Sequence, residues 1–393
     1  MLLTLLTACG TPLDPPVVAD TASTIDSAAE DTAEVIVDDE GEFLYGPATL
    51  DLAIELDAEA LAALTADPRE DVHATLRFRD ESWDVGLHLK GGVGSFRDMS
   101  SKAAFKIDTR EWDDAAPTFY GVRRLTLNNM IQDASMSAEH ASYRLHAIAG
   151  NIAPRHGYAR VTVNGELFGL YGVVETVDEA FLERHFAGDD EGNLYEGGYG
   201  ADIEQGRAPN FDQKEGDDET RADLVALIDA LTGASDANFL TTLETYFDVD
   251  ALLNVWAVEV ITGNADGYVS LANNFFVYHA PNADRWTMLP WGTDQSFIGD
   301  RLPTDAAYGV LAQRCDAIPA CRARFEARID AVLAIWEQED LPAWVRAESA
   351  RIEDDCRRDP RSLFGDYGCR DAIAAMNAWV AARPGIVRGA LAR

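Results

Sequence analysis

Apolar and polar positions alternate along the first folded part of the chain, which begins at about residue 48. Residues 83–89 place a large apolar side chain at every second position, and this pattern predicts a half-buried strand. The glycine-rich run 91–95 ends the strand, a second alternating stretch follows at 102–108, and a third strand ends at 128–129. The early part of the chain is predicted to form a mostly antiparallel sheet.

Helical spacing first appears at residues 135–149, where apolar side chains recur every three or four positions and Glu139 lies near the start. Gly150 suits the position just after a helix. Residues 249–261 are strongly apolar and predict a buried helix, and the chain from residue 306 onward is predicted to be mostly helical.

Two hairpins are predicted between these helices. The dipeptide Asn164-Gly165 joins alternating stretches within 158–174, and a second turn divides 275–289. Residues 197–222 show little periodicity and are interpreted as a loop or insertion. The predicted fold class is α+β, with an N-terminal sheet followed by a largely helical C-terminal part.

The composition is that of a globular protein. Of 393 residues, 47% are hydrophobic and 25% are charged, which excludes a disordered or collagen-like chain. The 68 acidic and 32 basic side chains give a net charge of −36. Because this field repels polyphosphates, nucleic acid is not expected as a partner, and a phosphate ligand would need a local set of basic groups, backbone amides or metal ions.

The N-terminus predicts export and lipid anchoring. Residues 1–9 form a short apolar run that ends in a lipobox-like sequence, so we interpret them as a signal-peptide remnant with a lipidated Cys9. The basic segment that normally precedes such a run is missing, so either the natural start lies upstream or the match is accidental. Residues 10–46 are predicted to be a disordered acidic tether, and residues 47–393 the folded domain.

Four further cysteines lie in the last quarter of the chain. An even, clustered number in an exported protein favours disulfides, and we predict the neighbouring pairs Cys315–Cys321 and Cys356–Cys369, although four cysteines allow three connectivities. A zinc site is the weaker interpretation, since no C-x-x-C spacing or histidine pair lies nearby.

Candidate chemistry is concentrated around the second predicted hairpin. Asp266 lies in the loop before it, Asn273 and Asn274 begin it, and Asp294 follows it. The two ends of a hairpin lie close together, so these side chains could converge in one cleft and offer oxygen ligands to a hard cation. The alternative is that they only punctuate turns.

A second candidate cluster lies near the glycine-rich run. Backbone amides around Gly92 and Gly94 could approach phosphate oxygens, and Lys102 and Lys106, predicted to share one strand face, could neutralise them. Glu139 is placed to ion-pair with one of these lysines. Taken alone, the glycines fit an ordinary hairpin turn equally well.

Several blocks of sequence, in order from about residue 80 to 300, resemble the CotH (spore-coat protein H) kinase family. They are Leu89-Lys90-Gly91-Gly92, Lys102 to Ile107, Leu127-Asn128-Asn129, Val163 to Glu166, Gly169 to Tyr171, Glu175, Gly192 to Tyr195, Gly263 to Asp266, Asn273-Asn274 and Leu289 to Asp294. The resemblance implies an atypical protein-kinase-like fold, ATP with Mg²⁺ or Mn²⁺, and phosphorylation of Ser or Thr on exported or surface proteins.

The resemblance also implies residue roles. Asp266 would be the general base, Asp294 with Asn273 or Asn274 would hold the metal, and Lys102 would be the first choice for the phosphate anchor, with Lys106 as a further basic position.

One departure from the family pattern matters most. The family usually has the sequence Pro-Trp-Asp-x-Asp. In this chain Gly292 replaces the first of these two aspartates, and only the second, Asp294, is present. An active kinase is the preferred interpretation. An inactive kinase-like surface or structural interaction protein is the alternative, and a glycosidase with two carboxylates is a weaker third.

Overall fold

The structure, a computed structural model, describes residues 40–217 and 220–393. The predicted signal remnant with Cys9, and the predicted tether up to residue 39, lie outside these described residues. Within them, no helix combines the length and apolar character needed to cross a bilayer.

The described residues form an α+β structure with eleven strands and eleven α-helices. The strands are β1 (Thr49–Glu55), β2 (Val72–Phe78), β3 (Glu81–Lys90), β4 (Ala104–Asp108), β5 (Arg124–Asn128), β6 (His156–Val163), β7 (Glu166–Glu175), β8 (Asn193–Gly197), β9 (Phe211–Glu215), β10 (Phe275–Ala280) and β11 (Arg285–Pro290). The helices are α1 (Ala58–Ala66), α2 (Ala138–Ile148), α3 (Glu179–His185), α4 (Ala222–Gly233), α5 (Asp236–Tyr246), α6 (Val249–Thr262), α7 (Tyr268–Leu271), α8 (Val310–Ala317), α9 (Pro319–Gln338), α10 (Leu341–Arg358) and α11 (Gly365–Leu391).

The first seven strands close into a barrel in the order β1-β2-β3-β4-β5-β7-β6. All neighbours are antiparallel except β1 and β6, which pair in parallel and complete the ring. The expected sheet is therefore mostly antiparallel but closed. Closure depends on a pairing between strands about a hundred residues apart, which alternation within each strand cannot predict.

Strand alternation decides which side chains face out of the barrel. Leu89 and Phe105 are paired across β3 and β4 and are fully buried in the barrel core. Lys90 and Lys106 occupy the opposite face of the same two strands, because successive side chains point to opposite sides. The outer face of β3 to β5 therefore presents polar groups to the rest of the molecule.

The folded part begins earlier than the predicted boundary at residue 46. Glu42–Tyr45 form a 3-10 helix whose Phe43 and Leu44 are buried in the barrel core. Leu44 lies against Gly157 of β6, where a Cβ atom would sit 2.0 Å from the Leu44 carbonyl oxygen. The end of the predicted tether is therefore part of the folded domain.

A second, four-stranded sheet has the order β11-β10-β8-β9. The stretch 197–222 was predicted to be a loop, but it contributes a 3-10 helix (Ala208–Asn210) and strand β9. Only Phe211 is buried in β9, so this short edge strand has too weak an alternation to be recognised from sequence. Trp336 lies in the helical core, and Trp344 and Trp379 pack against it while only partly buried.

Both predicted disulfides, Cys315–Cys321 and Cys356–Cys369, are present. The second joins α10 to α11 and closes a segment that contains Asp359 and Arg361. The Arg361 guanidinium donates to the carbonyl oxygens of Met99 and Ser101, 3.1 and 2.6 Å away, just before β4. This disulfide therefore fixes the C-terminal segment that contacts the barrel.

We expect the paired substitution of Cys356 and Cys369 by Ala to lower the free energy of unfolding by about 3 kcal/mol, because a crosslink over such a loop restricts the unfolded chain. The same substitution of Cys315 and Cys321 is the matched control and should cost less, since its loop is shorter. Urea denaturation measures both. Equal stability of the first variant and the parent protein would contradict the prediction.

Candidate active site

Polar side chains from the outer face of the barrel and from the second sheet meet in one region, which we call the cleft. Arg124 of β5 reaches across it, with its Nη1 3.5 Å from Glu215 of β9 and 3.6 Å from Asp178. The carboxylate of Glu196 on β8 acts to raise the pKa of the Lys106 ammonium group on β4. Helix α2 and the segments before β10 and after β11 complete the surroundings of this cleft.

Asp266 is held by three side-chain amides. Its Oδ1 accepts a hydrogen bond from Asn273 at 3.0 Å, and its Oδ2 accepts from Asn274 at 2.8 Å and from Gln295 at 3.1 Å. The carboxylate is partly exposed, so an acceptor hydroxyl can approach it. The structure therefore brings together Asp266, Asn273 and Asn274 as the sequence predicted, and Gln295 is an additional contact.

The loop around Asp266 is positioned from helix α6. Gly263 ends α6 with φ of 64°, a left-handed conformation that glycine adopts without strain. The buried Arg383 donates from Nε to the carbonyl oxygen of Ile261 at 2.8 Å and from Nη2 to that of Val260 at 2.7 Å. These bonds satisfy carbonyl groups that the end of a helix leaves without partners.

Glu259 fixes the other side of the same loop. Its two carboxylate oxygens accept the backbone N–H groups of Tyr268 at 3.2 Å and Val269 at 2.8 Å, at the start of α7. Burial raises the pKa of this carboxyl group to about 7, although the two backbone bonds oppose the shift. Glu259 is a positioning residue that the sequence analysis did not identify.

We expect Glu259→Gln to lower the free energy of unfolding by about 1–3 kcal/mol near neutral pH, because an amide nitrogen cannot accept one of the two backbone bonds. In the parent protein the pKa of Glu259 is raised by folding, so its protonation stabilises the folded state. This contribution to the free energy of unfolding is largest below about pH 4.5 and is lost as pH rises through about 7. The variant should lack this pH dependence.

Urea denaturation at about pH 5 and about pH 8 tests this slope. Glu326→Gln, at a partly exposed residue of α9, is the control and should retain the parent's pH dependence. An identical slope in the Glu259 variant and the control would contradict the assignment.

Asp294 lies on the short 3-10 helix Thr293–Gln295 that follows β11. The pKa of its carboxyl group is raised to about 8, mainly by desolvation and then by like-charge repulsion from Glu139, Asp133 and Asp266, while Lys90 opposes the shift. Asp294 therefore interacts electrostatically with Asp266 and also with Glu139 and Lys90.

Lys90 is the lysine that interacts with Glu139. It was not among the lysines predicted from the sequence. Desolvation lowers the pKa of its ammonium group, and Glu139 and Asp294 counteract the shift most strongly. Glu139 is only 3% exposed, and its Oε2 accepts a hydrogen bond from Asn128 Nδ2 at 2.6 Å. Lys90 lies at the end of β3, directly before the glycine-rich run, rather than on the strand after it.

Lys102 is not in the cleft, which corrects the first choice for a phosphate anchor. Its side chain is 0% exposed, and its Nζ lies 2.6 Å from Asp359 Oδ2. Asp359 also accepts the backbone N–H of Leu170 at 2.9 Å. Strand β4 begins only at Ala104, so the alternation of its side chains does not extend back to Lys102. The ion-pair partner of Lys102, Asp359, comes from a distant part of the chain.

Lys106 does lie in the cleft, on the same barrel face as Lys90. The Nζ atoms of Lys90 and Lys106 are 5.7 and 5.8 Å from the ring centre of Trp291. Desolvation, and to a lesser extent Lys90, lowers the pKa of Lys106 to about 8. Glu139 therefore pairs with neither of the two lysines predicted for it.

The glycine-rich run forms a compact turn after β3. The Gly92 N–H donates to Ser95 Oγ at 3.0 Å, and the Phe96 N–H donates to the Gly92 carbonyl oxygen at 3.0 Å. Gly94 has φ of 88°, which explains a glycine at that position. Contact of Gly92 and Gly94 with phosphate stays a prediction.

Gly292, the departure from the family pattern, is in a left-handed conformation with φ of 51°. A Cβ atom there would meet the Asn274 side chain at 3.0 Å. Asn274 itself donates to the Gly292 carbonyl oxygen at 3.4 Å. The backbone at 292 therefore packs directly on one of the candidate metal-binding amides.

The donor set fits a hard divalent cation that is completed by a phosphate ligand. Among the described residues, no group of three or more His, Cys, Asp or Glu side chains is arranged to hold a metal alone. Mg²⁺ typically takes one or two carboxylates and completes its shell with phosphate and water. Asp294, with the amide oxygen of Asn273 or Asn274, provides such a set, since both asparagines donate to Asp266 through their nitrogens and their oxygens take no part in those bonds.

Sequence comparison gives a family match and one curated relative. A family model described as CotH kinase protein matches residues 87–386. The inner spore coat protein H of Bacillus subtilis (strain 168) is 25% identical over 253 residues, which are 60% of this chain and 66% of that protein. The match therefore spans slightly less than two thirds of the relative's length.

Two solved structures are similar to a limited extent. One is a complex of HipA and HipB with operator DNA from the Shewanella oneidensis MR-1 toxin–antitoxin system, with a TM-score of 0.38, 13% identity and coverage of 87% of this chain and 74% of that chain. The other is the Helicobacter pylori proinflammatory kinase CtkA, with a TM-score of 0.27, 9% identity and coverage of 76% and 94%, respectively.

Proposed function

Since the chain belongs to the CotH kinase protein family, we propose that it is an atypical protein kinase that transfers the γ-phosphoryl group of ATP to Ser or Thr of exported proteins. The observation that carries this proposal is that the segment after β11 joins the candidate groups in one site: the ring centre of Trp291 lies 5.7 Å from Lys90 Nζ, and Gln295, next to Asp294, donates to Asp266 at 3.1 Å. It combines a cation for phosphate, carboxylates for a metal and a carboxylate for the acceptor hydroxyl.

Each side chain has a distinct role in this proposal. Lys90 binds phosphate oxygens, and Glu139 holds the Lys90 ammonium in the cleft. Asp294, with Asn273 or Asn274, holds Mg²⁺ or Mn²⁺, which when bound neutralises charge on the transferred phosphoryl group. The three amides around Asp266 orient its carboxylate toward the acceptor.

The proposed chemical step is a direct transfer. The Ser or Thr oxygen attacks the γ-phosphorus, the bond from that phosphorus to the bridging oxygen breaks, and ADP leaves. The proton of the attacking hydroxyl passes to Asp266. The restricted exposure of Glu139 and Lys90 excludes water from the inner part of the cleft, which strengthens the electrostatic interactions there.

The cellular setting is also part of the proposal. Two internal disulfides support an oxidising location, and the lipobox-like residues 6–9 support attachment to a bacterial membrane through a lipid on Cys9. The net charge of −36 favours a basic protein as acceptor.

A kinase-like surface protein without catalysis is the second candidate, and Gly292 is the observation that motivates it. Against it, the carboxylate that the chain retains is Asp294, which is the one that faces Lys90 and Glu139. The position that lost its carboxylate packs on Asn274 instead. We therefore favour an active enzyme.

Incorporation of labelled phosphate from ATP tests the proposal. The protein is incubated with γ-labelled ATP and Mg²⁺ or Mn²⁺, alone and with a basic exported protein as acceptor. Incorporation that is lost in Asp294→Asn is the expected result. Calorimetric ATP binding without any transfer under either metal would support the second candidate, and no binding would contradict nucleotide chemistry altogether.

A further inference from the structure

A pocket of about 460 Å³ lies beside helix α2 and is separate from the cleft residues described above. Its walls come from α2, the start of β6, α10 and the 3-10 helix Glu42–Tyr45, and they include His140, His156 and Glu348. Lys90, Asp266 and Asp294 do not line it. The pocket therefore exposes a second set of titratable groups on the helix that carries Glu139.

Two carboxylates and two imidazoles lie in a row from this pocket toward Glu139, and only the contact between the two imidazoles is within hydrogen-bond distance. Glu348 Oε2 lies 3.6 Å from His140 Nε2, and the Nδ1 atoms of His140 and His156 are 3.1 Å apart. His156 Nε2 lies 3.9 Å from Glu139 Oε2. His156 Nε2 is buried and has no hydrogen-bond partner within normal distance, so a small shift of either side chain would bring His156 and Glu139 within that distance.

The contact between the two Nδ1 atoms requires one proton between the rings. If His140 Nδ1 carries it, neutral His156 has its other proton on Nε2 and presents an N–H to Glu139. If His156 Nδ1 carries it, His156 presents a bare nitrogen to Glu139, and His140 instead presents an N–H to Glu348. Both states hold two protons on four nitrogens, and one additional proton gives each carboxylate an N–H.

The surroundings of the two histidines make the position of the shared proton important. Burial lowers the pKa of both imidazoles, so the pair is neutral at neutral pH and the tautomer decides which carboxylate receives an N–H. Gly172 of β7 leaves the room that the His156 ring occupies, since a Cβ there would lie 2.6 Å from its Nε2. The other titratable groups that face the pair are Glu139, Tyr143, Tyr158, Glu348 and Arg351.

We propose that His156 is a positioning residue for Glu139, and that Glu348, acting through His140, competes with Glu139 for the single N–H that the neutral histidine pair can donate to a carboxylate. An N–H donated to Glu139 favours its ionised form, which is the form that holds the Lys90 ammonium. This proposal rests on the proposed function for its effect on catalysis, but the coupling between the imidazoles is independent of it.

Nitrogen-15 NMR of the histidine-labelled full chain tests the coupling directly. Removing the charge in Glu348→Gln removes what favours an N–H on His140 Nε2, so the expected result is a shift of His156 toward the tautomer with a proton on Nε2. Glu353→Gln on the same helix, at a partly exposed residue, is the matched control and should leave the tautomer unchanged. An unchanged His156 tautomer in Glu348→Gln would overturn the proposal.

The catalytic consequence is tested with two substitutions at one position. His156→Leu should lower kcat/KM by about 10-fold or more, the size typical of lost supporting hydrogen bonds. His156→Gln, whose amide N–H can replace that of Nε2, should restore most of it but remove the inflection of the pH profile that belongs to the histidine pair.

Full activity of His156→Leu, or equal losses in the Leu and Gln variants, would overturn the positioning role. If the parent protein transfers no phosphate, the proposed function fails, and the NMR result still decides the coupling. If His156→Leu does not fold, the Glu348→Gln spectrum carries the test, because Glu348 does not contact His156.

Discussion

Asp266→Asn is expected to lower the rate of phosphoryl transfer by about 10³-fold and to leave ATP binding nearly unchanged, since loss of a positioned general base costs about 10²–10⁴-fold. An asparagine occupies the same volume and keeps one acceptor oxygen for the surrounding amides of Asn273, Asn274 and Gln295. The loss should therefore appear in kcat and only weakly in the dissociation constant for ATP.

Single-turnover transfer of labelled phosphate and calorimetry of ATP with Mg²⁺ separate these two effects. Asp80→Asn, an exposed turn carboxylate, is the control for the change of charge and should behave as the parent protein. Transfer by Asp266→Asn at the parent rate would show that this carboxylate is not the base. Loss of ATP binding together with transfer would mean that it serves the metal instead.

Substitutions of Lys90 and Lys102 should have opposite consequences. Lys90→Met should reduce kcat/KM by about 10²-fold, the typical loss when one electrostatic contact to a developing charge is removed. Its free energy of unfolding should fall less than that of Lys102→Met, because desolvation disfavours the charged ammonium there and Glu139 keeps its hydrogen bond from Asn128. Lys102→Met should instead lower the free energy of unfolding by about 3–5 kcal/mol, since it leaves the fully buried Asp359 without its cation.

The double substitution Lys102→Met with Asp359→Asn removes both charges of this buried pair. It should recover part of the lost stability, because the penalty comes from an unpaired buried charge rather than from the missing lysine alone. Thermal unfolding and steady-state kinetics on the same samples distinguish the two sites. A catalytic loss in Lys102→Met with unchanged stability would return the phosphate-binding role to Lys102.

The sequence predicted the elements whose signals are local. The Asn164-Gly165 turn has the positive φ angles, 50° and 80°, that this dipeptide favours, and α2 is followed by Gly150 with φ of 82°. Asp266 and its two asparagines are close together because a hairpin connects their positions. In each case the information lies within about ten residues of the feature.

What the sequence did not predict depends on distant partners. Lys102 and Lys106 are equivalent by spacing, and only the contact of Lys102 with Asp359, far along the chain, removes it from the cleft. Lys90 could have been recognised from the alternation of β3, because Leu87 and Leu89 face the barrel core and Lys90 therefore faces outward. The kinase-like order of elements instead favoured a lysine after the glycine-rich run. Closure of the barrel through β1 and β6 had no local signal.

The central claim is that Lys90, Glu139, Asp294 and Asp266 form one phosphoryl-transfer site. A crystal structure with a non-hydrolysable ATP analogue and Mg²⁺ or Mn²⁺ tests it most directly. We expect phosphate oxygens in contact with Lys90 and a metal ion bound by Asp294, with Asp266 facing the γ-phosphate. A nucleotide bound away from these four side chains, or a metal ion that does not contact Asp294, would contradict it.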